Sequence, residues 1–343
     1  MNYANIITDS FRIFWQHKKL WLWGMLLALV GQGEFSLSVS YQQNYSFITP
    51  TGGNPPKMPN PFDNPFVQSF LAHPLLYITG FSLLLLIWWL FSNIMGSLFH
   101  GALIGLVNEI DQNGAASLGS GWTIGKNRGI RLFSLTFLLA LPTFIIMFPL
   151  ALAGAWMALE LLQILMPLFA ANSPPSPQEM EAIFLPLVPY ILGGFACFFP
   201  LICFIGLLNW GLLLLKQMAI RSCVLEDLGV MDSLKRGGQM TRRNVGYLLL
   251  NEFFIMAISG IFSLVGGIVA LILWLVTASA IFNNDWSLFS IITTILLGVF
   301  LLMVNVGVGG ILTTFNSVLW TKLYQGFVDK ELSATLTNIT TLS

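Results

Sequence analysis

Residues 216–250 read KQMAIRSCVLEDLGVMDSLKRGGQMTRRNVGYLLL. The stretch leaves one apolar run and carries the carboxylate pair Glu226-Asp227. It then passes through a short basic segment and enters a second apolar run at Val245. A soluble helix is apolar along one stripe only. The runs on either side of this junction, and others such as 81–90 (FSLLLLIWWL) and 207–215 (LLNWGLLLL), are apolar nearly all round, the mark of immersion in lipid. Composition agrees: 56% of the chain is hydrophobic and 9% charged, against about 25% charged in a typical soluble domain.

Two reduced copies of the junction precede it. Ser233-Leu234 aligns with Ser117-Leu118 and with Ser10-Phe11. Gly237 then falls on Gly121, and Arg242 falls on Lys126 and Lys19. Each copy reads Ser, a large apolar residue, a base nine positions after the Ser, then a long apolar run. Recurrence at nearly equal spacing points to an internal repeat, although any basic loop entering a membrane helix shares some of these features. The repeat-like units are 1–108, 109–220 and 221–343 of a single membrane domain.

In the first copy Ile7, Phe11, Phe14 and Trp15 fall on one helical face, opposite Asp9, Arg12, Gln16 and Lys19. Such a helix lies flat on a bilayer, apolar side down. In the third copy Met231 and Leu234 take the downward positions. The second copy holds Gly119, Gly121 and Gly125, which predicts the weakest helix of the three.

The fold class expected is all-α: a polytopic helical bundle of six transmembrane helices in three hairpins, each preceded by a cytosolic amphipathic helix. The spans are expected at 20–40, 75–108, from about 131 to 153 with an outer extension to 171, 183–219, 246–281 and 287–325, with a frayed tail beyond 328. Pro142 and Pro149 are expected to kink the third span, and Pro186, Pro189 and Pro200 to interrupt the fourth. The proline-rich segment 41–74 is an outer loop, and 172–178 (NSPPSPQ) and Asn283-Asn284-Asp285 are outer turns. Every Lys and Arg except Lys57 then lies at or near the junction side. The positive-inside rule puts the junctions and both termini in the cytosol of a cell-membrane protein.

No nucleotide loop, zinc helix or nucleophile elbow is present, and the three cysteines have no metal spacing. We therefore assign no catalytic, cofactor or metal residues. Net charge is zero, which favours no nucleic-acid partner. Glu226-Asp227 reads either as an acid–base or metal pair or as acids favouring the dipole of the helix that follows. Lys19, Lys126, Arg242 and Arg243 read either as topology signals or as ligands for anionic lipid headgroups.

The wording of residues 219–226 (AIRSCVLE), Gly229-Val230, Ser233-Leu234 and 242–246 resembles the membrane domain attached to some bacterial glycerophosphoryl diester phosphodiesterases, and related stand-alone membrane proteins. The opening residues 10–27 are similar to the same group. The resemblance implies that Glu226 is the family's recurring Glu and Ser233 its small interfacial residue. The catalytic barrel, with its His-Arg pair and metal-binding acids, has no counterpart here, so phosphodiesterase activity is not implied. What is expected is a non-enzymatic module binding the lipid bilayer, anionic lipids or a membrane partner protein. The alternative is a permease subunit with a path between proline-broken helices.

Overall fold

The computed structural model describes residues 3–31, 69, 74–170, 177–282 and 288–342. All elements among the described residues are helices, with no strand. They are α1 (Tyr3–Gln16), α2 (Lys19–Leu29), α3 (Pro74–Asn113), α4 (Leu118–Ala170), α5 (Pro177–Leu225), α6 (Val230–Arg243), α7 (Val245–Phe282) and α8 (Leu288–Leu342). Five helices, α3, α4, α5, α7 and α8, are long and apolar enough to cross a membrane; α2 is shorter. Residues 32–40 of the expected first span, 41–73 of the loop apart from Ser69, 172–176, and 283–285 lie outside the described residues.

Two expectations about helix continuity are corrected. The second junction and third span are one helix, since α4 runs from Leu118 to Ala170 without a break at 131. The fourth span is not interrupted, since α5 continues through Pro186, Pro189 and Pro200; α4 likewise continues through Pro142 and Pro149, where only a kink is expected. A proline removes one backbone hydrogen bond, and in a long helix the turns on either side hold the path. The tail is also helical, because α8 extends past 328 to Leu342.

The helices form two compact units. One comprises residues 1–130 and 251–323, the other 131–250 and 324–343. In the first unit, α2 turns Leu20, Trp23 and Leu27 onto Phe99, Ala102, Leu103 and Leu106 of α3. Trp23 sits 5.8 Å from Phe99 and stacks on Trp122 at 6.4 Å.

The glycines of the second junction are a packing seam rather than a weak helix. Gly121, Gly125 and Gly129 recur every fourth residue of α4 and face Leu106, Leu98 and Ala102 of α3. A Cβ at Gly125 would stand 2.5 Å from the Leu98 carbonyl oxygen. Small residues let two backbones approach this closely, which strengthens van der Waals contact where water expulsion contributes little. The numbering runs in opposite senses along the two helices, so the start of α4 lies antiparallel on the end of α3.

A second antiparallel pairing in the same unit joins α2 to α8. Gly24 meets Gly310 and Thr314, and Gly310 in turn meets Met25. Thr314 Oγ1 donates to the Leu20 carbonyl at 3.3 Å, and the Phe14 ring lies edge-on to Phe315 at 5.6 Å. The last helix thus packs against the first junction.

Candidate functional site

In the second unit α5 ends in a fully buried run, 218–224. The chain reverses through Glu226 to Gly229, with Asp227 in the left-handed region at φ 52°, where a short polar side chain is tolerated. Gly229 then caps α6, Asp232 occupies its first turn, and Arg242 and Arg243 its last, each sign suiting the helix dipole. α6 packs antiparallel on α5. Ser222 Oγ donates to the Ser233 carbonyl at 3.1 Å and to the Ala219 carbonyl at 2.9 Å. A Cβ at Gly237 would lie 2.7 Å from the Ala219 backbone nitrogen.

This packing decides which residues of α6 face inward. Ser233, Gly237 and Met240 are buried against protein, and Met231, expected to face the bilayer, is 61% exposed. The face chosen is the one small enough to meet α5. Ser233 is fully buried, and its hydroxyl donates to the Leu228 carbonyl at 3.3 Å, closing the turn.

Glu226 sits at the tip of this pair. Its Oε1 accepts the Tyr324 hydroxyl at 2.5 Å, and its Oε2 accepts Arg236 Nε at 3.3 Å. Arg236 Nη2 reaches Glu331 at 2.8 Å, and Glu331 also receives Arg243 Nη1 at 2.9 Å. One chain of partners therefore runs Tyr324–Glu226–Arg236–Glu331–Arg243. Beside it Arg131 Nη1 meets Asp227 at 3.1 Å. Burial draws the Arg236 guanidinium's pKa down. The Glu331 hydrogen bond and the charges of Glu226 and Glu331 outweigh that and hold it above its usual value. Each carboxylate is engaged by a guanidinium, so the arrangement ties helix ends together.

Reading Glu226-Asp227 as dipole-favouring acids is corrected accordingly. The acid in the first turn of α6 is Asp232, while Glu226 and Asp227 hold side-chain partners far away in sequence. Sequence reading missed Tyr324, Glu331 and Arg131. One signal was present: Tyr324, Phe327 and Glu331 fall at i, i+3 and i+7, so the stripe continues past Val328 into the polar tail. A related contact stands in the first unit, where Ser120 Oγ donates to Glu109 Oε2 at 2.6 Å. In the alignment of junctions Ser120 occupies the position of Arg236.

Lys19 and Lys126 lie in the first unit, and Arg242 and Arg243 in the second. Arg243 is committed to Glu331. Lys19, Lys126 and Arg242 are exposed and form no ion pair among the described residues. Their neighbours differ, since Arg12 pairs with Asp9 and Lys322 with Asp111. Lys19 and Arg242 stand where a short helix gives way to the next, as expected; Lys126 lies within the continuous α4.

Among the described residues no three His, Cys, Asp or Glu gather as a metal site would require. Cys223 is buried and Cys203 exposed. No family model, curated protein or solved structure matches this chain. Its five apolar helices define the class, a helical membrane protein.

Proposed function

We propose that this is a non-enzymatic multi-pass protein of the cell membrane whose junctions bind anionic lipid headgroups. The observation that carries the reading is the division among the bases. Arg131, Arg236, Arg243 and Lys322 are spent on carboxylates. The three aligned bases Lys19, Lys126 and Arg242 are left exposed and unpaired among the described residues. A base near an anionic surface contributes about 1 kcal/mol.

The reading includes six spans, the sixth being the apolar stretch 20–40, with both termini and all three junctions cytosolic. It also includes a threefold internal repeat. Three antiparallel pairings support the repeat: α3 with α4, α5 with α6, and α8 with α2. The likeness to phosphodiesterase-linked membrane domains belongs to the same reading, with Glu226 and Ser233 as its junction motif. The alternative is a permease subunit; α4 and α5 run through their prolines, so its support is the threefold repeat rather than interrupted helices.

The test is lipid retention. The purified protein is reconstituted in nanodiscs of graded anionic content, and Lys19, Lys126 and Arg242 are reversed to Glu after topology is confirmed. The native protein should keep more anionic lipid through purification than the reversed one. Equal retention would make the three bases topology signals only and end the lipid-binding reading; a partner protein would then be the remaining role for the junctions.

A further inference from the structure

Helix α1 has three faces. Ser10, Ile13 and Phe14 are buried on one side. Asn5, Thr8, Arg12 and Gln16 are exposed on a polar side. Between them Phe11 and Trp15 are 54% and 57% exposed. These two rings stack at 6.0 Å with 12° between their planes. Trp21 of α2 meets Trp15 at 6.1 Å, and Lys18 Nζ lies 6.0 Å from the Trp15 ring centre. The full apolar face expected from sequence is thus divided, with Phe14 turned to protein and Phe11 and Trp15 turned away from it.

We infer that Phe11, Trp15 and Lys18 form a docking face for the anionic phospholipids of the leaflet that α2 enters. Three observations select lipid over another protein surface. The aromatic strip lies between a protein-facing and a water-facing side, the position a bilayer boundary would take around a helix lying in it. It continues into exposed Leu22 and Leu29 of α2, the chain's first apolar segment. Its polar rim is cationic, since Lys18 and Lys19 are both exposed with no ion pair among the described residues. Ring faces with lysine at their edge are the composition of the aromatic belt at membrane interfaces. The rings take the glycerol level, about 5–10 Å below the headgroup surface. The Lys18 ammonium, held over the electron-rich indole, meets the phosphate.

The inference rests on the membrane reading above but not on the roles of Lys126 and Arg242. It is tested on the full chain with its three cysteines replaced by alanine, carrying one spin label at position 5, 11 or 15, in nanodiscs of phosphatidylcholine with or without phosphatidylglycerol. Labels at 11 and 15 should collide with oxygen in preference to a water-soluble nickel chelate, and the label at 5 the reverse. Separately, Lys18→Gln should lower retention of phosphatidylglycerol by about fivefold while the label at 11 stays in the bilayer. Aqueous exposure at 11 and 15 equal to that at 5 would overturn the inference. Shielding of both from oxygen and nickel alike would also overturn it, in favour of a second copy or a partner protein. Unchanged retention in Lys18→Gln would remove the headgroup contact. A failure of the triple reversal at Lys19, Lys126 and Arg242 to alter lipid retention would leave the depth result standing, so the two proposals fail separately.

Discussion

Tyr324 donates its phenolic hydrogen to Glu226 at 2.5 Å, across a separation of 98 residues. The phenol is 1% exposed, and the carboxylate also receives Arg236. A buried hydrogen bond to a charged acceptor contributes about 1.5–3 kcal/mol. Tyr324→Phe should therefore destabilise the protein by about 2 kcal/mol. Glu226→Gln should cost a comparable amount, and the double variant less than the sum, with a coupling of about 1 kcal/mol. Denaturation in detergent, followed by tryptophan fluorescence for all four proteins, reads the cycle. Additive losses would mean that the short contact contributes nothing beyond packing.

The two antiparallel seams differ in what a methyl group would strike. At Gly237 the obstacle is the Ala219 backbone, with its nitrogen 2.7 Å from the added Cβ. At Gly121 the obstacle is the Leu106 side chain at 2.6 Å, which can turn aside. Overpacking costs about 1–3 kcal/mol, so Gly237→Ala should fall at the upper end and Gly121→Ala at the lower. Gly267→Ala, with nothing within 4 Å, should gain up to about 1 kcal/mol of helix propensity. Thermal melts of the three variants should rank in that order. A Gly237→Ala protein as stable as the native one would show that α5 and α6 are not in close contact.

The outline of this fold is legible in the sequence because lipid immersion needs long apolar runs, and those survive any arrangement of helices. The break between α1 and α2 beside Lys18-Lys19, and the bounds of α6, follow from local charge and glycine placement. What is not legible depends on partners distant in sequence. Gly121 and Gly125 read as helix breakers until Leu98 and Leu106 stand opposite them. Propensity describes an isolated helix, and tertiary packing reverses its sign here. Glu331 reads as part of a polar tail until Arg236 and Arg243 reach it. The burial of Ser233 and Gly237 is likewise not legible, because it is set by the close approach of α5.

Tyr3 supplies a pH test. Its hydroxyl donates to Asn251 Oδ1 at 3.1 Å, and burial pushes its pKa from 10.0 up to about 12. A folded pKa above the unfolded one stabilises the fold fully below the unfolded value. That stabilisation is lost as pH rises from 10.0 through about 12. The difference in absorbance near 295 nm between native protein and Tyr3→Phe isolates this phenol. It should ionise near pH 12, well after an exposed tyrosine. Ionisation near the ordinary value would mean that the start of α1 is detached from α7.

The membrane arrangement is tested by chemical labelling, and helix length makes the expectation sharp. α3 has 40 residues and α4 has 53, roughly 60 and 80 Å at about 1.5 Å per residue. The hydrocarbon layer takes only about 30 Å of each. The surplus at the junction end is where the α4 glycines meet α3, and it carries Lys126 and Arg128. These bases resist burial in lipid, and the positive-inside rule predicts a cytosolic position for them. Lys126→Cys and Lys235→Cys, both at exposed positions, should react with an impermeant maleimide only after cells are opened. Lys57→Cys, in the proline-rich segment, should react in intact cells. Labelling of position 126 from outside, with position 235 still cytosolic, would mean that the continuous α4 does not carry the second junction on the cytosolic side. That result would end both the six-span arrangement and the assignment of Lys126 to the cytosolic leaflet.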